Sequence, residues 1–243
     1  MMEQMPPAVV LLHGFTHTAR SWDGVIAALP EGDQPLAPDI RGHGAASAAR
    51  PVTLRYVIED IDAAAPEPFT LAGYSMGGRI ALHIAFELPE RVRRLVLIGA
   101  SPGLKGAVAR AERRAADERL ADLAERLTIT EFSERWAKTP VLAGQPEDVR
   151  AAVDADRRRN HPDGLACALR GLGTGALPSL WPRLRDLGIP VELIVGEHDA
   201  KFRETAEQMV QELPDARVSV VAGAGHAVHL ERPGAVAEII SRG

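Results

Sequence analysis

Cysteine is almost missing from this 243-residue chain. Cys167 stands alone, so neither a disulfide framework nor a cysteine-based zinc site can be built. Long apolar runs are missing too. The longest, over residues 8–12 and 95–98, are strand-sized and far short of the roughly 20 residues that a membrane-spanning helix needs. Residues 1–7 hold neither a basic region nor an apolar signal segment, which points to a cytoplasmic protein without a membrane segment. Internal repeats, low-complexity linkers and long charge runs are absent, so disordered, collagen-like and coiled-coil architectures are excluded.

What is present suits a soluble globular chain. Hydrophobic residues make up 46% and charged residues 25%, enough for one domain or one domain with a small insertion. A net charge of −5 argues against a nucleic-acid partner. The charge is uneven: residues 101–180 hold 13 basic against 12 acidic residues, so the acidity lies elsewhere. Arginine supplies all but three of the 28 basic residues, and any single arginine therefore needs a positional reason before it counts as functional.

Continuous β-branched and aliphatic runs over 8–12, 69–72, 95–98, 191–195 and 218–221, with a weaker one over 34–37, read as strands buried on both faces. Helical patterns over 21–29, 54–65, 77–88, 204–213 and 235–240 lie between them. Such alternation indicates βαβ units and an α/β fold, a mostly parallel open sheet with helices on both faces. From 101 to 187 no strand run occurs. That stretch has helical spacing, as over 108–127, broken at Pro140, Pro146, Pro162 and Pro178. The expected organisation is a core of residues 1–100 and 188–243 and a helical cap of residues 101–187.

Gly73-Tyr74-Ser75-Met76-Gly77 fits G-x-S-x-G between a strand and a helix. The spacing has a mechanical cause. Ser75 sits on a sharp strained turn, the flanking glycines leave room for it, and its hydroxyl projects above the sheet beside the Met76 N–H. A serine hydroxyl needs an imidazole to activate it. His226 follows the last strand run on a glycine-rich loop, with His229 as its competitor. The imidazole in turn needs an acid. Asp199 follows the 191–195 run, with Glu197 as the rival two residues earlier. The order Ser75, Asp199, His226 is that of an α/β-hydrolase. The Phe15 N–H, in the loop after the first strand, pairs with that of Met76 as an oxyanion hole. His13 and His43 read as loop structure, and His17, His83, His161 and His198 as surface or packing residues.

Several segments go beyond the fold: His13-Gly14-Phe15-Thr16, Gly73 through Arg79, Gly196-Glu197-His198-Asp199-Ala200-Lys201-Phe202, and Gly171-Leu172-Gly173-Thr174-Gly175 followed by Trp181. Through them nearly the whole chain resembles the α/β-hydrolase-fold lyases of menaquinone biosynthesis, the 2-succinyl-6-hydroxy-2,4-cyclohexadiene-1-carboxylate synthases. The resemblance implies elimination of pyruvate from a small polycarboxylate bearing three carboxylates, with no cofactor, and no metal is expected because no His, Asp or Glu cluster has ligand spacing. It implies arginines as carboxylate clamps, which suits their bidentate fork. Arg79 lies one helical turn after Ser75. Arg113 (or neighbouring Arg110 or Arg114) and Arg157 (or Arg158) match arginines of the insertion. Trp136 matches a pocket aromatic, and Tyr74 sits beside the serine. The short lead before the first strand run implies that the two leading antiparallel strands of larger relatives are missing, and a monomer or small homo-oligomer is expected. The alternative reading is a serine hydrolase (an esterase, thioesterase or C–C bond hydrolase) with the same triad but no reason for convergent arginines. A noncatalytic ligand receptor on the same fold is the third.

Overall fold

The structure, a computed structural model, describes residues 8–66, 68–139, 142 and 144–242. Residues 1–7 and the break expected at Pro140 lie outside the described residues. Six strands form one parallel sheet in the order β2-β1-β3-β4-β5-β6: β1 (Ala8–Leu12), β2 (Gln34–Leu36), β3 (Phe69–Tyr74), β4 (Val92–Ile98), β5 (Val191–Gly196) and β6 (Ala216–Val221). The register aligns Leu12 with Gly73 and Tyr74 with Ile98, bringing the carboxyl ends of the central strands to one level.

Both sheet faces are covered, which is why the strand runs lack polar alternation. Val10, Leu12, Leu71, Leu95 and Leu193 pack against α2 (Leu54–Ala64), α3 (Met76–Glu87) and α8 (Ala200–Val210). The alternate positions Val9, Leu11, Tyr74, Val96 and Ile194 pack against α1 (Asp23–Ala28), α9 (Val228–Glu231) and α10 (Pro233–Ser241). Each fully buried aliphatic side chain contributes roughly 1.5–3 kcal/mol.

Among the described residues four α-helices lie between β4 and β5: α4 (Ala107–Ala124), α5 (Ile129–Trp136), α6 (Glu147–Arg157) and α7 (Pro162–Leu172). The expected breakers fall where helices begin, Pro146 at the N-cap of α6 and Pro162 in the first turn of α7. The insertion has its own small core of Ala121, Ala124, Phe132, Leu165 and Leu169. Phe15 packs against both this core and the sheet's, fastening one to the other. Several expected boundaries move, two of them at the start of an element by three residues or more. β4 begins at Val92 rather than residue 95, and α8 begins at Ala200 rather than residue 204.

Candidate active site

Ser75 occupies the turn between β3 and α3 with φ 52° and ψ −107°, a left-handed-side conformation rare for a residue with a Cβ. The two glycines permit the turn. A Cβ on Gly73 would lie 2.5 Å from the Gly77 carbonyl, and one on Gly77 would lie 2.2 Å from the Leu12 carbonyl. The Ser75 N–H donates to the Ile98 carbonyl at 2.9 Å, tying the elbow to β4. Met76 is the first residue of α3, so its N–H belongs to the unpaired first turn.

The three residues expected to act together converge. Asp199 Oδ2 lies 2.6 Å from His226 Nδ1, and His226 Nε2 lies 3.4 Å from Ser75 Oγ. The carboxylate accepts from Nδ1–H, so Nε2 presents its lone pair to the serine hydroxyl. The latter contact is long for an O–H···N bond, as catalytic contacts often are before substrate closes them. Asp199 also accepts from the Phe202 N–H at 3.4 Å, capping α8 and fixing its own orientation. The rival residues are engaged elsewhere. Glu197 accepts from the Gly223 N–H at 2.8 Å. His229 is buried against Trp22 and Tyr74, with burial pushing its imidazole well below its ordinary pKa.

A cavity of about 1080 Å³ opens over the serine, lined in part by Phe15, Ser75, Met76, Arg79, Arg113 and Trp136. Arg79 is buried and donates through Nη2 to the Leu172 carbonyl at 3.1 Å, while its Nε has no partner. Burial, and then the nearby Arg113 cation, lower its pKa to about 10 against the pull of Asp117, so it stays charged at neutral pH. Arg113 donates through Nε to Asp117 Oδ1 at 2.7 Å. The buried Asp117 also receives the Gly175 N–H at 3.3 Å, which holds the Gly173-Thr174-Gly175 segment against the cavity. Trp136 stands edge-on to Phe15, with ring centroids 5.1 Å apart.

Two residues expected at the cavity are not on its lining. Tyr74 belongs to the strand positions that face α1, α9 and α10. Its ring is buried 4.2 Å from that of His229 and 5.2 Å from that of His226, and burial raises the phenol pKa. Arg157 is buried and donates to Thr16 Oγ1 and to the Ser133 carbonyl and hydroxyl. His198 is exposed, as expected of a surface residue, and also lines the cavity.

Lys201, Phe202 and Thr174, which have no expected role, also line it. Lys201 carried a usable signal. A cation in the first turn of a helix opposes the helix dipole, so α8 gains nothing from it there. Phe202 lies 4.6 Å from the His226 ring and walls one side of the triad. Of the loop histidines, His13 accepts the Ile40 N–H at Nε2 (2.9 Å), so its Nδ1 carries the proton and donates to the Gly14 carbonyl (2.9 Å). Burial lowers its pKa to about 4. Among the described residues no group of three or more His, Cys, Asp or Glu side chains is placed to hold a metal ion, and no helix is long and apolar enough to cross a membrane.

A parallel sheet with a strained serine at a strand end and an Asp–His pair behind it defines a class, and the comparisons with known proteins agree. The alpha/beta hydrolase family profile matches residues 9–239, and the chain belongs to that family. Within it the chain falls among the 2-succinyl-6-hydroxy-2,4-cyclohexadiene-1-carboxylate synthases. It is 40% identical to a Bacillus subtilis (strain 168) relative bearing that name provisionally, over 96% of this chain and 89% of the relative. It is 34% identical to the synthase of that name from Salmonella schwarzengrund (strain CVM19633), over 97% of this chain and 93% of the relative. The solved structure of MenH from S. aureus superposes with a TM-score of 0.91 at 29% identity, covering 98% of this chain and 93% of that one.

Proposed function

We infer that this chain is a lyase that eliminates pyruvate from 2-succinyl-5-enolpyruvyl-6-hydroxy-3-cyclohexene-1-carboxylate, leaving 2-succinyl-6-hydroxy-2,4-cyclohexadiene-1-carboxylate for menaquinone biosynthesis. The observation that carries the reading is the union of a Ser75–His226–Asp199 array with paired guanidinium groups in one cavity. A hydrolase needs the first feature; a substrate with three carboxylates needs both.

The array suits a proton abstraction by the serine. His226 Nε2 takes the hydroxyl proton of Ser75, and the oxygen removes the proton from ring carbon 2, beside the succinyl carbonyl. Asp199 fixes the imidazole tautomer and stabilises its cation. The electron pair forms the double bond between ring carbons 2 and 3 as the existing one shifts to carbons 4 and 5. The bond from carbon 5 to the enolpyruvyl oxygen breaks, and pyruvate leaves as its enolate, to be protonated on carbon. No water enters. Negative charge developing on the succinyl carbonyl oxygen is met by the N–H groups of Phe15 and Met76, since backbone donors need little reorganisation during the reaction. Arg79 and Arg113 clamp carboxylates, and Trp136 packs against the ring. Residues 101–187 act as the cap and the flanking stretches as the core. The protein works in the cytoplasm.

Coupled detection of pyruvate from the authentic intermediate, run beside hydrolysis of a p-nitrophenyl ester, tests the reading. Pyruvate release is expected to dominate and to fall by about a thousandfold or more in Ser75→Ala. Faster ester turnover, or an unimpaired Ser75→Ala, overturns it.

A further inference from the structure

Thr16 is the only described residue besides Ser75, glycines aside, with a positive φ, at 70°. A β-branched residue rarely adopts that conformation unless its surroundings impose it. Here they do. Asn160 Nδ2 donates to the Thr16 carbonyl at 2.9 Å, and Arg157 Nε donates to Thr16 Oγ1 at 3.3 Å. Two residues on, the Thr18 N–H donates to Asp156 Oδ2 at 2.9 Å and the Thr18 hydroxyl bonds Asp156 Oδ1. His17, between them, places Nδ1 3.5 Å from the same carboxylate. Asn160 also accepts the Gly44 N–H at 3.0 Å, which locks it to a second core loop. Asp156, Arg157 and Asn160 are all buried, and all come from the end of α6 and the turn that follows it.

The loop they grip carries Phe15. We propose that Asp156 and Asn160 are positioning residues for the oxyanion hole: through Thr16 and Thr18 they fix the Phe15 N–H, making the donor geometry depend on the insertion being docked. This rests on the functional reading above. The two residues touch no reacting atom. A shift of the donor by a fraction of an ångström weakens the bond to the developing oxyanion and leaves the carboxylate clamps untouched. The expected signature is therefore a loss in kcat with KM preserved. A merely structural contact would lower the melting temperature and change neither constant in the folded fraction.

The test uses Asn160→Ala and the near-isosteric Asp156→Asn, which retains the fold should the first not. Arg170→Ala serves as the control. It removes ion pairs to Glu118, Asp122 and Glu125 inside the insertion without touching the loop. Steady-state pyruvate release is expected to show kcat down about tenfold or more in Asn160→Ala and about threefold or more in Asp156→Asn, with KM within twofold and Arg170→Ala unchanged. Amide hydrogen exchange over residues 14–18, which needs no turnover, is expected to accelerate about tenfold in Asn160→Ala. If kcat and exchange both stay at the wild-type values in both variants, or if KM alone rises, the assignment is overturned. An unmodified chain that releases no pyruvate refutes the functional reading instead, and the exchange experiment still decides the clamp.

Discussion

The two ends of the sheet treat buried polar groups in opposite ways. At the amino ends of β4, β5 and β6, each charge has a partner. Arg94 donates to the Ile239 and Ile240 carbonyls at 3.0 and 2.8 Å, at the C-terminal turn of α10, where a cation is favoured. Glu192 sits 3.6 Å from the same guanidinium, accepts from Ser219 Oγ at 2.7 Å and pairs with Arg217. At the carboxyl ends, Arg79 Nε, Glu231 Oε1 and both ring nitrogens of His43 and His229 have no protein partner. The backbone there holds Thr16 and Ser75 in unfavourable conformations. One end is built for stability. The other leaves donors open and bears strain, as a sheet does at the end where it binds its ligand.

Breaking the satisfied end has the largest expected cost. Glu192→Ala leaves the buried Arg94 cation without its counter-charge and is expected to lower unfolding stability by about 3 kcal/mol in urea titrations, with kcat of the folded enzyme unchanged. A loss of kcat without a loss of stability would erase the contrast between the ends.

Acid should act at the other end. His13, at the end of β1, has its pKa lowered by burial from 6.5 to about 4, so the unfolded chain binds its proton first. Stability is then full above about pH 7 and falls as pH drops from 6.5 towards 4, by roughly 2 kcal/mol at pH 5 from this residue alone. Burial shifts His43 and His229 in the same direction. Urea midpoints at pH 7 and pH 5 check this; equal midpoints would contradict it.

Arg79→Ala sharpens the comparison with the smallest effect. It removes a guanidinium that is only half satisfied, so KM should rise about tenfold, near 1.4 kcal/mol, while the melting temperature holds. A cation that mattered for folding would show the reverse.

Much of this was legible in the chain because the chemistry and the local geometry share residues. The elbow glycines, the order Ser75–Asp199–His226 and the doubly buried strand runs each reflect a short-range constraint. What was hidden depended on long-range placement. Arg93-Arg94 masked the first residues of β4, since an arginine inside a strand is stable only with Glu192 brought alongside from another strand. The catalytic position of Asp199 hides its second part as the N-cap that starts α8 at Ala200. Tyr74 was placed at the cavity through its neighbour Ser75, but successive strand residues point to opposite faces and it turns toward α9 and α10. Arg157 carried the right charge, yet its target, a strained loop 141 residues earlier, leaves no mark in local sequence.

The central claim is that the serine at the open end of the sheet performs an elimination and not a hydrolysis. Incubating the enzyme with the authentic intermediate, and recording released pyruvate together with the absorbance of the conjugated cyclohexadiene, tests it in one vessel. The two are expected to rise together in equal amounts. Pyruvate appearing without the diene, with a water consumed and the ring keeping its own oxygen as a hydroxyl on carbon 5, would contradict it.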